Sequence, residues 1–424
     1  MVRISGPLAA SIALAMLGEL PAPRHAALAT FRAADGEMID EGITLYFPAP
    51  HSYTGEDVLE LQGHGSPVVL AQLVRRCVEL GARLAEPGEF TRRAFLNDRL
   101  DLAQAESVAD LIDADSVEAA RSAARSLKGE FSRRVHALVD ALIELRMHVE
   151  ACIDFPEEEI DAADRAMQRE KLDALVAALD RLREDARQGA VLRDGLVVVL
   201  IGRPNVGKSS LLNRLAGEEV AIVTPVAGTT RDYVRATLSI EGVPIHLVDT
   251  AGLREASDEV ERIGVERAWQ AVSEAGAALL VTEADAEATG QERSHLERLP
   301  PELPVLRVVN KIDLTGLSPG LEPGGRVVRI SAKTGAGVDA LRQWLLETAG
   351  WKPHGEGLFM ARERHLGALA AARRHLGEAM DRAQAFELLA EELRLAQLRL
   401  NTITGEFGAD DLLGEIFSRF CIGK

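Results

Sequence analysis

The stretch Gly195 to Ser209, GLVVVLIGRPNVGKS, constrains this chain more than any other. Its first half, Gly195 to Ile201, is a continuous apolar run of the kind that forms a parallel strand buried on both faces. The run ends in glycine, and Gly202 to Ser209 matches G-x-x-x-x-G-K-[ST]. Glycines let backbone N–H groups curl around phosphate oxygens, Lys208 can reach the β- and γ-phosphates of a nucleotide, and the Ser209 hydroxyl suits magnesium. A strand, this loop and a helix in that order commit the region to an open α/β sheet that binds ligands at the carboxyl ends of its strands.

Further pieces follow in chain order. Gly228, Thr229 and Thr230 (GTTRD) offer hydroxyls to the γ-phosphate and magnesium. Asp249, Thr250, Ala251 and Gly252 (DTAG) put a carboxylate near the metal and a glycine near the γ-phosphate. Asn310, Lys311 and Asp313 (NKID) follow the apolar run Val305 to Val309. An aspartate there accepts from both the ring N–H and the exocyclic amine of guanine, a donor pair that adenine lacks. Ser331, Ala332 and Lys333 (SAK) close the base pocket. In order and content these resemble the five motifs of a translation-factor-type GTPase. The resemblance adds Asn205, Val206, Gly207 and Ser210, with Thr224, Pro225, Val226 and Ala227, to the expected GTP contacts.

Ras-like proteins orient the attacking water with a glutamine just after the DTAG glycine. Leu253 stands there instead. Two substitutes are visible. Asn205, with the carbonyls of Thr224 and Val226 and an oxygen of Thr229, can hold a potassium ion where the charge of an arginine finger would act. Downstream, LREASDEVERIG carries several acids, of which Glu261 is one; the residues alone do not choose among them, and a solvated helix accounts for any single one.

The remainder bounds the class. With 424 residues the chain has room for two or three domains, and 47% hydrophobic with 27% charged residues describes a globular protein. A net charge of −18 argues against non-specific binding to nucleic-acid backbones or anionic membranes, so any nucleic-acid partner must meet a local basic patch. Cys77, Cys152 and Cys421 are far apart and show no metal-ligand spacing, which fits a reduced, cytoplasmic setting. The start, MVRISGPLAASIALAMLGEL, mimics a secretory signal, but its apolar run from Leu8 to Leu17 also suits a first amphipathic helix, and the cytosolic character of everything downstream favours the helix. No apolar run reaches the roughly 20 residues of a membrane span, so no membrane partner is expected.

Texture divides the chain. Residues 1–98 mix extended runs such as Gly42 to Phe47 with turn signals and read as a small α+β domain. Residues 99–192 turn to Ala, Leu and charge, and Leu172, Leu175, Val176, Leu179 and Leu182 form one helical stripe. Residues 193–348 alternate apolar strands with helical stretches, a doubly wound α/β domain. In residues 349–424 helix returns, with Leu389, Leu393, Ala396 and Leu400 on one face and a last helix from Leu412 to Phe420, capped by Asp410. This final segment is too thin for a core of its own and is expected to pack on the helices of residues 100–190. The α/β domain is then an insertion in a helical one.

GRPNVGKSSLLN, AGTTRDYVR, DTAGLREASDEVERIG and the terminal FCIGK resemble the MnmE (TrmE) family of tRNA-modifying GTPases, which act on the wobble uridine. LELQGHG, GEFTRRAFLNDRLDLAQAE, DFPEEEI and LAEELRLAQ extend the likeness over nearly the whole chain. The resemblance implies a multidomain α/β and α+β protein: an N-terminal folate-binding domain that dimerises, a helical domain of two chain segments, and a Ras-like GTPase domain inserted between them. It implies a potassium-dependent GTPase with Asn205, Thr224, Val226 and Thr229 at potassium, Ser209 and Thr230 at magnesium, and Glu261 at the water. It implies a homodimer that forms a heterotetramer with the FAD-containing partner MnmG. Together they place an aminomethyl or carboxymethylaminomethyl group on the 5-position of the tRNA wobble uridine, with a one-carbon tetrahydrofolate as donor.

For the folate, the matching positions are Arg3, Glu60, Arg99 and Lys424. A pterin asks for a carboxylate and the glutamate tail for cations. Arg99 stands where the family commonly has Lys, a change that keeps charge but not geometry, and the chain opens at MVRISG where the family usually has a further strand and a Gly-rich turn; either the start is misplaced or the folate pocket and dimer sheet are incomplete. By residue type Cys421 reads as a buried thiol at a helix end, whereas the resemblance brings it near the one-carbon group. Two other readings share the nucleotide motifs: a GTP-switched RNA or ribosome assembly factor without modifying activity, and a folate-binding regulatory scaffold.

Overall fold

The computed structural model describes residues 1–155, 162–203, 205–216, 236–249, 275–283, 296–297, 299–352 and 357–405. The chain divides into two compact units. One holds Met1–Ala109, Ser126–Leu172 and Arg374–Lys424; the other holds Asp110–Arg125 and Asp173–Arg373.

The first unit begins with strand β1 (Val2–Ser5) and helix α1 (Ala9–Leu17), followed by β2 (Ala27–Arg32), β3 (Met38–Phe47) and β4 (Val58–Gln62). These strands form an antiparallel sheet in the order β1-β4-β3-β2. Helix α2 (Pro67–Glu79) and α1 cover one face. In α1 the buried residues Ala9, Ile12, Ala13 and Met16 fall at i, i+3, i+4 and i+7, so the apolar start of the chain is an amphipathic helix seated in a core. Phe31, Leu59, Leu61, Leu73 and Cys77 complete that core. Burial raises the Cys77 thiol to about 11, and its sulfur lies 3.8 Å from that of Met16, so Cys77 is packing material.

Helix α3 (Glu89–Leu96) carries an ionic cluster of the same unit. Glu89 is 8% exposed and pairs with Arg83 and Arg93, and Arg93 also reaches both oxygens of Glu56 at 2.9 and 3.2 Å. Hydrogen bonds from Arg83 foremost, then from the Glu86 backbone N–H and Arg93, hold the Glu89 carboxyl at about 2 against the opposing effect of burial. A carboxyl held below its ordinary value of 4.5 contributes stability that is present above that pH and is lost as pH falls toward about 2. Glu89→Gln is therefore expected to lower Tm at pH 7, and thermal melts should show the gap to the parent chain closing between pH 4.5 and about 2. A gap that stays constant across that window would contradict the assignment.

The helical part of this unit contains α4 (Leu102–Ile112) up to Ala109, α6 (Glu130–Asp154), the start of α7 (Ala162–Asp194), the end of α10 (Glu363–Asp381) and α11 (Phe386–Thr404). Phe131, Val135, Leu142, Leu145 and Val149 form the buried stripe of α6, and Leu389, Leu393, Ala396 and Leu400 that of α11. The two helices lie against each other, with Arg146 donating to Gln397 at 2.8 Å. The expected packing of the C-terminal segment on the earlier helices is thus present for α11. The helix expected from Leu412 to Phe420 and its cap Asp410 lie outside the described residues.

The second unit is built on a seven-stranded sheet in the order β10-β11-β9-β8-β5-β7-β6. Its strands are β5 (Leu196–Ile201), β6 (Ala236–Ile240), β7 (Val243–Asp249), β8 (Ala277–Glu283), β9 (Val305–Asn310), β10 (Gly320–Leu321) and β11 (Val327–Arg329). Strand β5 pairs in parallel with both β7 and β8. Val198 and Leu200 enter the core on one face with α8 (Lys208–Ala216) and α9 (Val338–Thr348), and Val199 and Ile201 enter the core on the other with Leu299 and Leu303. Burial on both faces is why this segment is apolar at every position rather than at alternate ones.

Helix α5 (Val117–Leu127) contributes Ala119 and Ala123 to this core. Its cap Ser116 accepts the Ala119 N–H at 3.0 Å and donates to the Gly242 carbonyl at 2.6 Å. Gly242 and Glu241 both have positive φ, as a two-residue hairpin between β6 and β7 requires. Among the described residues, no helix is long and apolar enough to cross a membrane.

Candidate functional site

Parallel pairing aligns the carboxyl ends of the central strands. Leu200 is opposite Asp249, Ile201 opposite Leu280, Glu283 opposite Asn310, and Val309 opposite Arg329. The phosphate loop, the start of DTAG, NKID and SAK therefore leave the sheet at one end, where open α/β sheets bind ligands.

The loop itself is shaped by three residues with positive φ: Gly202 at 159°, Asn205 at 69° and Gly207 at 95°. Val206 turns inward and is 6% exposed, anchoring the loop in the core. Lys208 opens α8 and its ammonium bonds the carbonyls of Gly202 and, at 3.3 Å, Arg203. The lysine thus folds back over the loop whose N–H groups and helix N-terminus favour phosphate. Ser209 and Ser210 follow in the first turn and are exposed.

Asn310 ties the GRPNVGKS loop to the SAK loop. It is 2% exposed; its amide nitrogen donates to the Val206 carbonyl at 2.9 Å and its oxygen accepts the Ala332 N–H at 3.0 Å. Lys311 donates to the Asn205 carbonyl at 2.9 Å. Asp313 is exposed, and the Ser331 hydroxyl, itself fully buried, donates to its Oδ1 at 2.6 Å. Asn205, Val206, Gly207, Lys208, Asn310, Lys311, Asp313, Ser331 and Ala332 are therefore brought into one linked constellation. Lys333 joins it through its carbonyl, which accepts from Arg214 at 2.6 Å.

Two of these partners escape sequence reasoning. Arg214 donates to the Ala332 and Lys333 carbonyls and so supports the base loop, although by pattern it is one more cation on α8. Glu283 pairs with Lys311, and its only sequence signal is that it ends an apolar strand. Thr224, Pro225, Val226, Ala227, Gly228, Thr229, Thr230, Thr250, Ala251, Gly252, Leu253 and Glu261 lie outside the described residues. Asp249 is described as the last residue of β7.

Of the folate positions, Arg3 and Glu60 are register partners on adjacent strands and form an ion pair, with Arg3 Nε at 2.8 Å and its terminal nitrogen at 2.7 Å from Glu60 Oε1. The Arg3 guanidinium also lies 5.9 Å from the ring centres of Tyr53 and Phe90. Arg3 further lines a cavity of about 160 Å³ with Cys77, Arg83, Phe90 and Arg93. Arg99 is exposed, and its aliphatic stem flanks Gly55, two residues beyond Tyr53. The structure therefore joins Arg3 to Glu60 directly and sets Arg99 beside the same loop. Cys421 and Lys424 lie outside the described residues.

Comparison with known proteins covers the whole chain. Residues 1–99 match the family profile described as GTP-binding protein TrmE N-terminus, and residues 102–421 match that of the MnmE helical domain. The chain is 60% identical over 427 residues to the tRNA modification GTPase MnmE of Azoarcus sp., covering 100% of this chain and 94% of that protein. It is 59% identical over 430 residues to the protein of the same name from Neisseria meningitidis, covering 100% and 95%. Among solved structures, the G domain of the T. maritima FeoB iron transporter is similar at 26% identity and a TM-score of 0.26, over 36% of this chain and 98% of that one. With both family profiles and relatives matched across its length, the chain belongs to the MnmE (TrmE) family of tRNA modification GTPases.

Proposed function

We propose that this GTPase is potassium-dependent and acts as a homodimer with the flavoprotein MnmG. Together they install an aminomethyl-type group on the 5-position of the tRNA wobble uridine, with a one-carbon tetrahydrofolate as donor. The observation that carries the nucleotide part is the Asn310 bridge, which joins the Val206 carbonyl of the phosphate loop to the Ala332 N–H of the base loop. One buried side chain thereby ties the loop this reading assigns to the phosphates to the loop it assigns to the base.

In this reading Asp313 accepts the ring N–H and exocyclic amine of guanine, while Ser331 holds its carboxylate in orientation. Lys208 leaves the carbonyls of the loop for the β- and γ-phosphates and offsets their charge. Ser209 and Thr230 would hold magnesium, which would neutralise charge on the phosphates; hydroxyl oxygens are suitable donors for that hard cation. Asn205, Thr224, Val226 and Thr229 would hold potassium, whose charge would act where that of an arginine finger does. Glu261 orients the attacking water.

The folate reading rests on the Arg3 and Glu60 pair. Glu60 Oε1 accepts from Arg3, while Oε2 has a 3.5 Å contact to Gln62 and remains able to accept from a pterin. Arg99 and Lys424 serve the anionic tail, and Cys421 lies beside the one-carbon group. The corresponding domains are 1–98 for folate and dimerisation, 99–192 and 349–424 for the helical domain, and 193–348 for the GTPase, in a cytoplasmic protein.

The test is the level of 5-substituted wobble uridine in a strain lacking the gene, with and without complementation. Loss and rescue are expected; normal modification without the gene would leave an assembly factor or a regulatory scaffold. For the mechanism, GTP turnover is expected to be at least tenfold faster in potassium than in sodium at equal ionic strength, and equal rates would remove the role assigned to Asn205.

A further inference from the structure

Among the described residues of this site, two with side chains adopt left-handed backbone: Asn205 at φ 69° in the phosphate loop and Lys311 at φ 64° in NKID. Such conformations are unfavourable for residues with a Cβ and persist where the surroundings hold them. Here the two strained positions are joined to each other, because the Lys311 ammonium donates to the Asn205 carbonyl at 2.9 Å. The same ammonium pairs with Glu283 Oε1. Glu283 is the last residue of β8 and the register partner of Asn310, so its carboxylate stands one strand away from NKID at the nucleotide end of the sheet.

The neighbouring bond completes the pattern. Asn310 caps the Val206 carbonyl, and Lys311 caps that of Asn205. Two consecutive carbonyls of the phosphate loop are thus drawn toward NKID, away from the side where a phosphate would be repelled by them.

We propose that Glu283 is a positioning residue of the guanine-nucleotide site. By holding the Lys311 ammonium against the Asn205 carbonyl it keeps the phosphate loop in its binding shape and lengthens the dwell time of bound nucleotide. Glu283 touches neither the base nor the reacting atoms; it acts through Lys311. The Lys311 and Glu283 side chains are 36% and 47% exposed, so the effect has the size of a solvent-facing ion pair, about fivefold in a rate or affinity.

The proposal rests on the placement of NKID at the base pocket, and the experiment separates the two. Release of N-methylanthraniloyl GDP from the full chain is followed for the parent, Glu283→Gln, Lys311→Met and the double variant. Glu283→Gln is expected to accelerate release about fivefold in the parent and by less than about 1.5-fold in the Lys311→Met background. Glu283→Asp, which keeps the charge, is expected to restore part of the dwell time, and added salt should narrow the gap between the parent and Glu283→Gln. No change on Lys311→Met would overturn the placement of NKID and the proposal with it. Faster release on Lys311→Met with no change on Glu283→Gln, or the same acceleration by Glu283→Gln in both backgrounds, would overturn the role of Glu283 alone.

Discussion

Replacing Asp313 by asparagine is expected to invert the base preference of this GTPase, lowering kcat/KM for GTP by about three orders of magnitude and making xanthosine triphosphate the better substrate. Guanine presents two donors to the carboxylate, and an amide matches only one of them. Xanthine carries a carbonyl where guanine has its amine, so an asparagine can accept from the ring N–H and donate to that carbonyl. The exchange is readable because the orientation of Asp313 is already set. Ser331 is fully buried, donates to Asp313 Oδ1 at 2.6 Å and accepts the Thr334 N–H at 3.2 Å. Steady-state kinetics with both nucleotides test this. An equal loss for both, with the ratio unchanged, would mean that the base does not rest on Asp313.

Gly207→Ala is the second large effect. Gly207 has φ 95°, and a Cβ there would stand 2.3 Å from the Asn310 amide nitrogen. The left-handed backbone alone costs about 1–2 kcal/mol for an L-residue. Displacing Asn310 leaves the buried Val206 carbonyl and Ala332 N–H without their partner, at about 1–3 kcal/mol. The sum, about 2–5 kcal/mol, lowers the Tm of the nucleotide-free protein, and the part of it that the free loop relieves by leaving its binding shape appears as a loss of nucleotide affinity of about 30-fold or more. Equilibrium titration with a fluorescent GDP checks the first and a thermal melt the second. Binding within threefold of the parent would show that Asn310 moves aside without consequence.

These two predictions differ in what made them visible. Asp313 stands out in the sequence, because an aspartate at the end of NKID after an apolar strand has a chemical purpose that spacing alone exposes. The conflict at Gly207 is invisible there: a glycine in the phosphate loop is expected, but its contact with a residue 103 positions later is not. Cys77 and Met16 were separate residues of two apolar stretches until the sheet brought α1 and α2 together. The apolar start was open to two readings because hydrophobicity does not distinguish a leader from a helix that packs; burial of Ala9, Ile12, Ala13 and Met16 identifies the helix.

Arg3 and Glu60 mark the same limit in the N-terminal unit. By residue type each was as consistent with a surface ion pair as with a ligand contact. Strand register makes them neighbours, and they are paired. Glu60 is therefore a carboxylate already paired with Arg3, which neither residue announces by itself.

Local chemistry was written in the chain: a phosphate-loop motif after a buried strand, the NKID residues proposed to select guanine after another, and helical stripes at 172–182 and 389–400. Those features depend on neighbours a few positions away, and periodicity and motif spacing record such neighbours directly. The bonds between loops were decided only by tertiary structure. The Asn310 bridge, the Arg214 support of SAK and the Glu283 hold on Lys311 each join a residue of one strand or helix to a loop at the end of another. Their geometry follows from which strands the sheet makes adjacent and where each strand ends, and no local pattern encodes that adjacency.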